Sequence, residues 1–97
     1  MSESESQRLD EPQISLALDT LTEWVRSGDV IQRTFVLADF ATAMAFVNQV
    51  AAVAEAAGHH PDILIRWSKV TLSLSTHDAG GLTKLDFNLA AAIDSLV

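Results

Sequence analysis

The sequence predicts an α+β fold in which helices and β-hairpins alternate as α-β-β-α-β-β-α, with the helices packed on one face of the sheet. Three observations carry this. Four short extended runs fall into two adjacent pairs, and the last run alternates apolar and polar residues. Apolar residues at three- and four-residue steps mark one long helical segment between the pairs and a shorter one at each end. A chain of 97 residues is one domain, because halves of it would be too small to hold a core.

Residues 1–9 are rich in Ser and Glu with almost nothing to bury, so a disordered acidic start is expected, with the domain over 10–97. Asp10-Glu11-Pro12 reads as a helix start, with an acid near the N-terminus and proline in the first turn. Ile14, Leu18 and Leu21, with Ala17 between, give that helix an apolar face. Ser27-Gly28-Asp29 is a turn signal, so Trp24–Arg26 and Val30–Leu37 read as a hairpin. Ile31, Arg33, Phe35 and Leu37 share a face there, and Arg33 points to an edge position or a paired charge.

Asp39 is the expected N-cap of the long helix, in which Phe40, Met44, Val47, Val50 (or Ala51), Ala54 and Ala57 form the apolar stripe. Phe46 and Val53 widen that stripe on a second flank, which suits either a broad core face or a subunit interface. Gly58 is placed to end the helix in a left-handed conformation. Ile63–Trp67 and Val70–Thr76 are the second pair of strands, with Val70, Leu72 and Leu74 inward. After the Asp78–Gly81 loop, Thr83 can cap a last helix with Leu85, Leu89, Ala92, Ile93 and Leu96 on its apolar side.

Composition excludes several classes. The net charge is −7, and it stays negative when the acidic start is set aside, which argues against nucleic-acid binding. Without cysteine there are no disulfides or thiolate zinc sites. The start lacks the basic and apolar regions of a signal peptide. The apolar stretch from Phe35 to Ala57 is broken by Asp39, Asn48, Gln49 and Glu55, so no membrane span is expected and the protein is read as cytoplasmic.

Chemistry concentrates in the three histidines, His59, His60 and His77. Imidazole gives and takes protons near neutrality. His59 and His60 are awkward joint metal ligands, because neighbouring residues on extended chain project to opposite sides, so no metal is expected. Glu55, at a helix end where an anion is disfavoured, is either a solvated surface residue or the acceptor of a hydrogen bond from His59. Asp86 either completes a capping box with Thr83 or polarises an imidazole. Trp24 and Trp67 could wall an aromatic ligand, with buried core the plainer reading of each.

Together, Glu55-x3-His59-His60-Pro61-x5-Trp67-x9-His77-x8-Asp86 resembles the signature of the pterin-4a-carbinolamine dehydratase family, gaps included. The text around His59 and His77 is similar to the family too, as is Ile31-x-Arg33-x-Phe35 followed by Asp39-Phe40, so the likeness runs from Trp24 to Val97. The resemblance implies a four-stranded antiparallel sheet with three helices on one face. It also implies homodimers or homotetramers, and dehydration of 4a-hydroxytetrahydropterin to quinonoid dihydropterin without metal or organic cofactor. On that footing His59 is the principal acid–base group, His77 the second proton-transfer group, and His60 the residue that binds and orients the pterin. Glu55 and Asp86 orient the imidazoles, and Pro61, Trp67 and Thr76 contact substrate. The dimerisation of an animal member with a transcription factor is not carried by the motif. The competing expectations are a non-catalytic pterin-binding or protein-interaction module, and action on a molybdopterin-related pterin.

Overall fold

The computed structural model describes residues 5–97 and has the expected order of elements. Helix α1 spans Glu11–Leu18, strands β1 and β2 span Val25–Ser27 and Val30–Val36, and helix α2 spans Phe40–Ala57. Strands β3 and β4 span Asp62–Arg66 and Lys69–Leu74, and helix α3 spans Lys84–Asp94. All four strands join one antiparallel sheet in the order β1-β2-β4-β3. The fold is therefore α+β with a four-stranded antiparallel sheet, and β2 and β4 are its inner strands.

The expected disordered start falls partly on residues 1–4, which lie outside the described residues. At its other end Leu9 is buried and its N–H donates to the Leu82 carbonyl at 2.8 Å. Packing thus begins just before the expected Asp10 boundary. Asp10 caps α1 in a reciprocal box with Gln13, and Pro12 sits in the first turn, where its missing N–H costs nothing.

The core lies between the sheet and the helices. Val70, Leu72 and Leu74 of β4 are fully buried, as is Ile31 of β2, so the alternation in both strands is realised. Arg33 lies on an inner strand and is not an edge residue. Its Nη1 donates to Asp94 Oδ1 at 2.7 Å, and its guanidinium stacks 4.2 Å over the Phe35 ring. Asp94 also accepts from Trp24 Nε1 at 2.9 Å, so the buried Trp24 has its polar partner.

Helix α2 corrects one expectation. Its buried residues are Ala43, Phe46, Val50 and Ala54, whereas Phe40 is half exposed and Ala57 exposed. Val50 and Ala54 of the expected stripe are buried and Val47 is partly so, but the core face is turned toward the flank, taking in Phe46 and Ala43 and leaving out Phe40 and Ala57. The cause is that α2 is apolar around most of its circumference, which leaves its rotation undetermined by periodicity alone. Packing decides it. Ala43 and Ala54 let the helix approach the sheet, and Phe46 lodges against Phe35 with ring centroids 4.7 Å apart. By length and mean hydropathy (1.3) α2 passes as a membrane span, but this stripe is what a helix lying on a sheet requires.

Candidate active site

Helix α2 ends in a Schellman motif, and that ending sets the histidine geometry. Gly58 is left-handed (φ 65°, ψ 28°), its N–H donates to the Glu55 carbonyl at 3.2 Å, and the His59 N–H donates to the Ala54 carbonyl at 3.2 Å. A Cβ at this φ would be strained, which is why glycine stands here. The reversal sends His59 back toward α3 while His60 stays beside the last turn of α2.

The carboxylate partners differ from the expected ones for that reason. Glu55 Oε1 lies 2.6 Å from His60 Nε2, not from His59. His59 Nε2 instead meets Asp86 Oδ1 at 2.6 Å. Four-residue spacing would join Glu55 to His59 on a continuing helix, and the helix does not continue.

Asp86 does both jobs that the sequence left open. It is fully buried at the third position of α3. Its Oδ2 accepts from the Thr83 N–H at 3.0 Å, completing the capping box, and from the Thr76 hydroxyl at 2.8 Å. Its Oδ1 faces His59. Among the described residues, no buried side-chain polar atom lacks a partner, so this network is closed, as a buried polar cluster must be.

His77 begins a short 3₁₀ turn, His77–Ala79, with Ser75 and Thr76 between it and β4. Because β3 and β4 are antiparallel with Asp62 opposite Ser73, the chain just before β3 and the chain just after β4 leave the sheet at the same end. His60 and His77 consequently line one cavity of about 390 Å³ with Val30, Asp62, Ser73, Leu74 and Ser75. That volume is in the ~300–1,000 Å³ range of small-molecule sites. His59 does not line that cavity, so the three imidazoles are not brought to one wall; it borders two other hollows. One is shared with Thr76, Asp78, Ala79 and Leu85, the other with Glu5, Leu85, Asn88 and Ala92.

The remaining expected contacts divide. Pro61 is half-buried beside the histidines. Thr76 lines a hollow with His59, but its hydroxyl is occupied by Asp86 and by Thr83 Oγ1 at 2.7 Å. Trp67 is neither buried core nor near the histidines. It is 72% exposed, with φ 54°, in the turn between β3 and β4. The five residues of β3 separate it from His60 by roughly 16 Å at ~3.3 Å per residue. No group of three His, Asp or Glu side chains among the described residues is placed to hold a metal ion. His59 and His60 each spend Nε2 on a different carboxylate.

Sequence reading missed Asp62, Ser73 and Ser75 as cavity residues. The signal was available in the outward polar positions of β4, which alternate with Leu72 and Leu74. Thr83 was read only as a cap, and its hydroxyl proves to belong to the Asp86 network.

The chain is similar to known proteins along nearly all of its length. A protein of Roseiflexus castenholzii named "Putative pterin-4-alpha-carbinolamine dehydratase" is 61% identical over 92% of this chain and 96% of its own. One of the same name from Nocardia farcinica is 56% identical over 91% of this chain and 93% of its own. A crystal structure described as a transcriptional coactivator/pterin dehydratase from Brucella melitensis superposes with a TM-score of 0.87 at 35% identity, covering 93% of this chain and 98% of that one. Residues 7–96 match the family described as Pterin 4 alpha carbinolamine dehydratase, and the chain belongs to that family.

Proposed function

We propose that this protein dehydrates a 4a-hydroxytetrahydropterin to the quinonoid dihydropterin and water by histidine acid–base chemistry. The observation that supports the reading is the convergence of His60 and His77 on one cavity, with His59, the residue before His60, held by a buried carboxylate and bordering other hollows. The reaction breaks the C4a–O bond while the departing oxygen takes a proton. N5 gives up its proton, and its electrons close the C4a=N5 double bond. One acid and one base are enough, and each typically contributes about 10²–10⁴-fold.

In this reading His59 is the principal acid–base group and His77 the second, while His60, steadied by Glu55, orients the pterin ring. Asp86 orients His59. Thr76 acts through Asp86, its hydroxyl being engaged there. Pro61 fixes the backbone behind the histidines. Trp67 could reach a pterin only in another subunit of an assembly.

The chain is also proposed to self-associate. The face of α2 away from the core carries Ala41, Ala45 and Ala52, all exposed, and small residues permit close helix approach. Val50, fully buried in the core, is no probe of that face. Ala45→Glu with Ala52→Glu should yield smaller species in sedimentation, and unchanged assembly would refute the interface.

The function is tested by following dehydration of a freshly generated 4a-hydroxytetrahydropterin with the purified protein. Acceleration over the buffer rate is expected. Saturable pterin binding with no acceleration would favour the non-catalytic module instead.

A further inference from the structure

The hydrogen bonds behind His59 have a direction that can be worked out donor by donor. Thr83 Oγ1 accepts from the Leu85 N–H at 3.2 Å. Thr76 Oγ1 spends its only proton on Asp86 Oδ2. The 2.7 Å contact between the two hydroxyls must then be donated by Thr83 and accepted by Thr76, since each hydroxyl has a single proton. Asp86 Oδ2 receives the Thr83 N–H as well. Two donors, the Thr76 hydroxyl and the Thr83 N–H, thus end on Oδ2 and favour the ionised carboxylate, which only accepts, and Oδ1 remains for His59.

We infer that Thr83 and Thr76 are positioning residues that hold Asp86 as a pure acceptor and so fix His59 in its Nε2–H tautomer, leaving Nδ1 as the nitrogen that works on substrate. The last clause rests on the dehydratase reading; the tautomer does not. An acceptor facing Nε2 at 2.6 Å requires a proton on Nε2, so the neutral ring carries its lone pair on Nδ1. Asp86 is fully buried and the His59 side chain is only 12% exposed, so water does not compete strongly for either atom. The cluster joins three separate segments, since Thr76 follows β4, Thr83 and Asp86 open α3, and His59 follows α2. The imidazole is thereby referenced to the sheet and to both helices at once.

The test is a long-range ¹H–¹⁵N NMR correlation of His59 in labelled protein, at a pH where the ring is neutral, combined with steady-state kinetics. Wild type should show Nε2 protonated and Nδ1 bare. Thr76→Val removes one of the two donors that favour the ionised carboxylate, so that Asp86 can hold a proton and donate it to Nε2; it should shift population toward the Nδ1–H tautomer and lower kcat more than it changes KM. The drop should be smaller than the ~10²–10⁴-fold loss expected on removing an acid–base group outright. Thr76→Ser keeps the hydroxyl and should restore both readouts. A wild-type ring protonated on Nδ1 would overturn the inference, as would a Thr76→Val protein with wild-type tautomer and kcat, or a Thr76→Ser protein that fails to recover. Should the tautomer be as expected and wild type show no turnover, the dehydratase reading falls and the tautomer assignment stands.

Discussion

His59 and His60 are neighbours in the chain, and each holds a carboxylate oxygen 2.6 Å from Nε2, yet the two pairs lie in different surroundings. The His59 and Asp86 side chains are 12% and 0% exposed, those of His60 and Glu55 64% and 75%. Water and salt screen the second pair, and exposed pairs of this kind contribute about 0–1 kcal/mol. The first pair is closed off and backed by two threonines, so losing a partner strands buried donors. Equal distances thus carry unequal consequences. One pair builds the site into the fold, whereas the other leaves a histidine free to adjust to a ligand.

Substitutions should separate the two. Asp86→Ala strands the Thr83 N–H, the Thr76 hydroxyl and the His59 ring, and each unmet buried donor costs roughly 1–3 kcal/mol. A loss of at least about 3 kcal/mol in urea unfolding is expected, together with loss of turnover. Leu72→Ala, in the core under the same sheet, should cost about 2–5 kcal/mol by the same assay. It should leave the His59 tautomer unchanged, which separates damage to the fold from damage to the site.

Glu55→Gln should change stability by less than about 0.5 kcal/mol. Its expected effect is on pterin affinity, and the wild-type advantage should shrink as salt is raised, in a titration at two ionic strengths. A third carboxylate has the smallest expected effect. Hydrogen bonds from the Thr42 side chain, then its backbone N–H, hold the Asp39 carboxyl below its ordinary value of 3.8. A carboxyl lowered on folding stabilises above its unfolded value and loses that contribution as pH falls through the lowered one. The stability gap between wild type and Asp39→Asn should therefore close only below about pH 3.8, as read by unfolding at several pH values.

How far the sequence foretold this arrangement varies by element, for physical reasons. Strand β4 was legible because one face is buried and the other is not, so Val70, Leu72 and Leu74 stand out by period alone. Asp10, Asp39 and Thr83 were legible because capping is local chemistry. Which flank of α2 joins Val50 and Ala54 in the core was not, since its apolar surface is wider than its contact and only three-dimensional packing chooses the seam. The unpaired look of Arg33 came from a partner, Asp94, far along the chain.

At the candidate site, residue type drew attention to the histidines and both carboxylates and the family resemblance gave them expected roles, but their pairing was not legible. Glu55 joins His60 because Gly58 turns the chain after α2, and the choice between the imidazoles depends on a backbone reversal that spacing cannot express. Trp67 was misplaced for a related reason. An apolar aromatic at the end of a strand looks like core, and only the turn to β4 shows that it stands in solvent.

The most direct measurement is the dehydration rate of His59→Ala and His77→Ala, each compared with wild type at saturating pterin and with folding checked by circular dichroism. Losses on the order of 10²–10⁴-fold in each are expected if these rings move the protons. Near-wild-type rates in both folded variants would contradict the account.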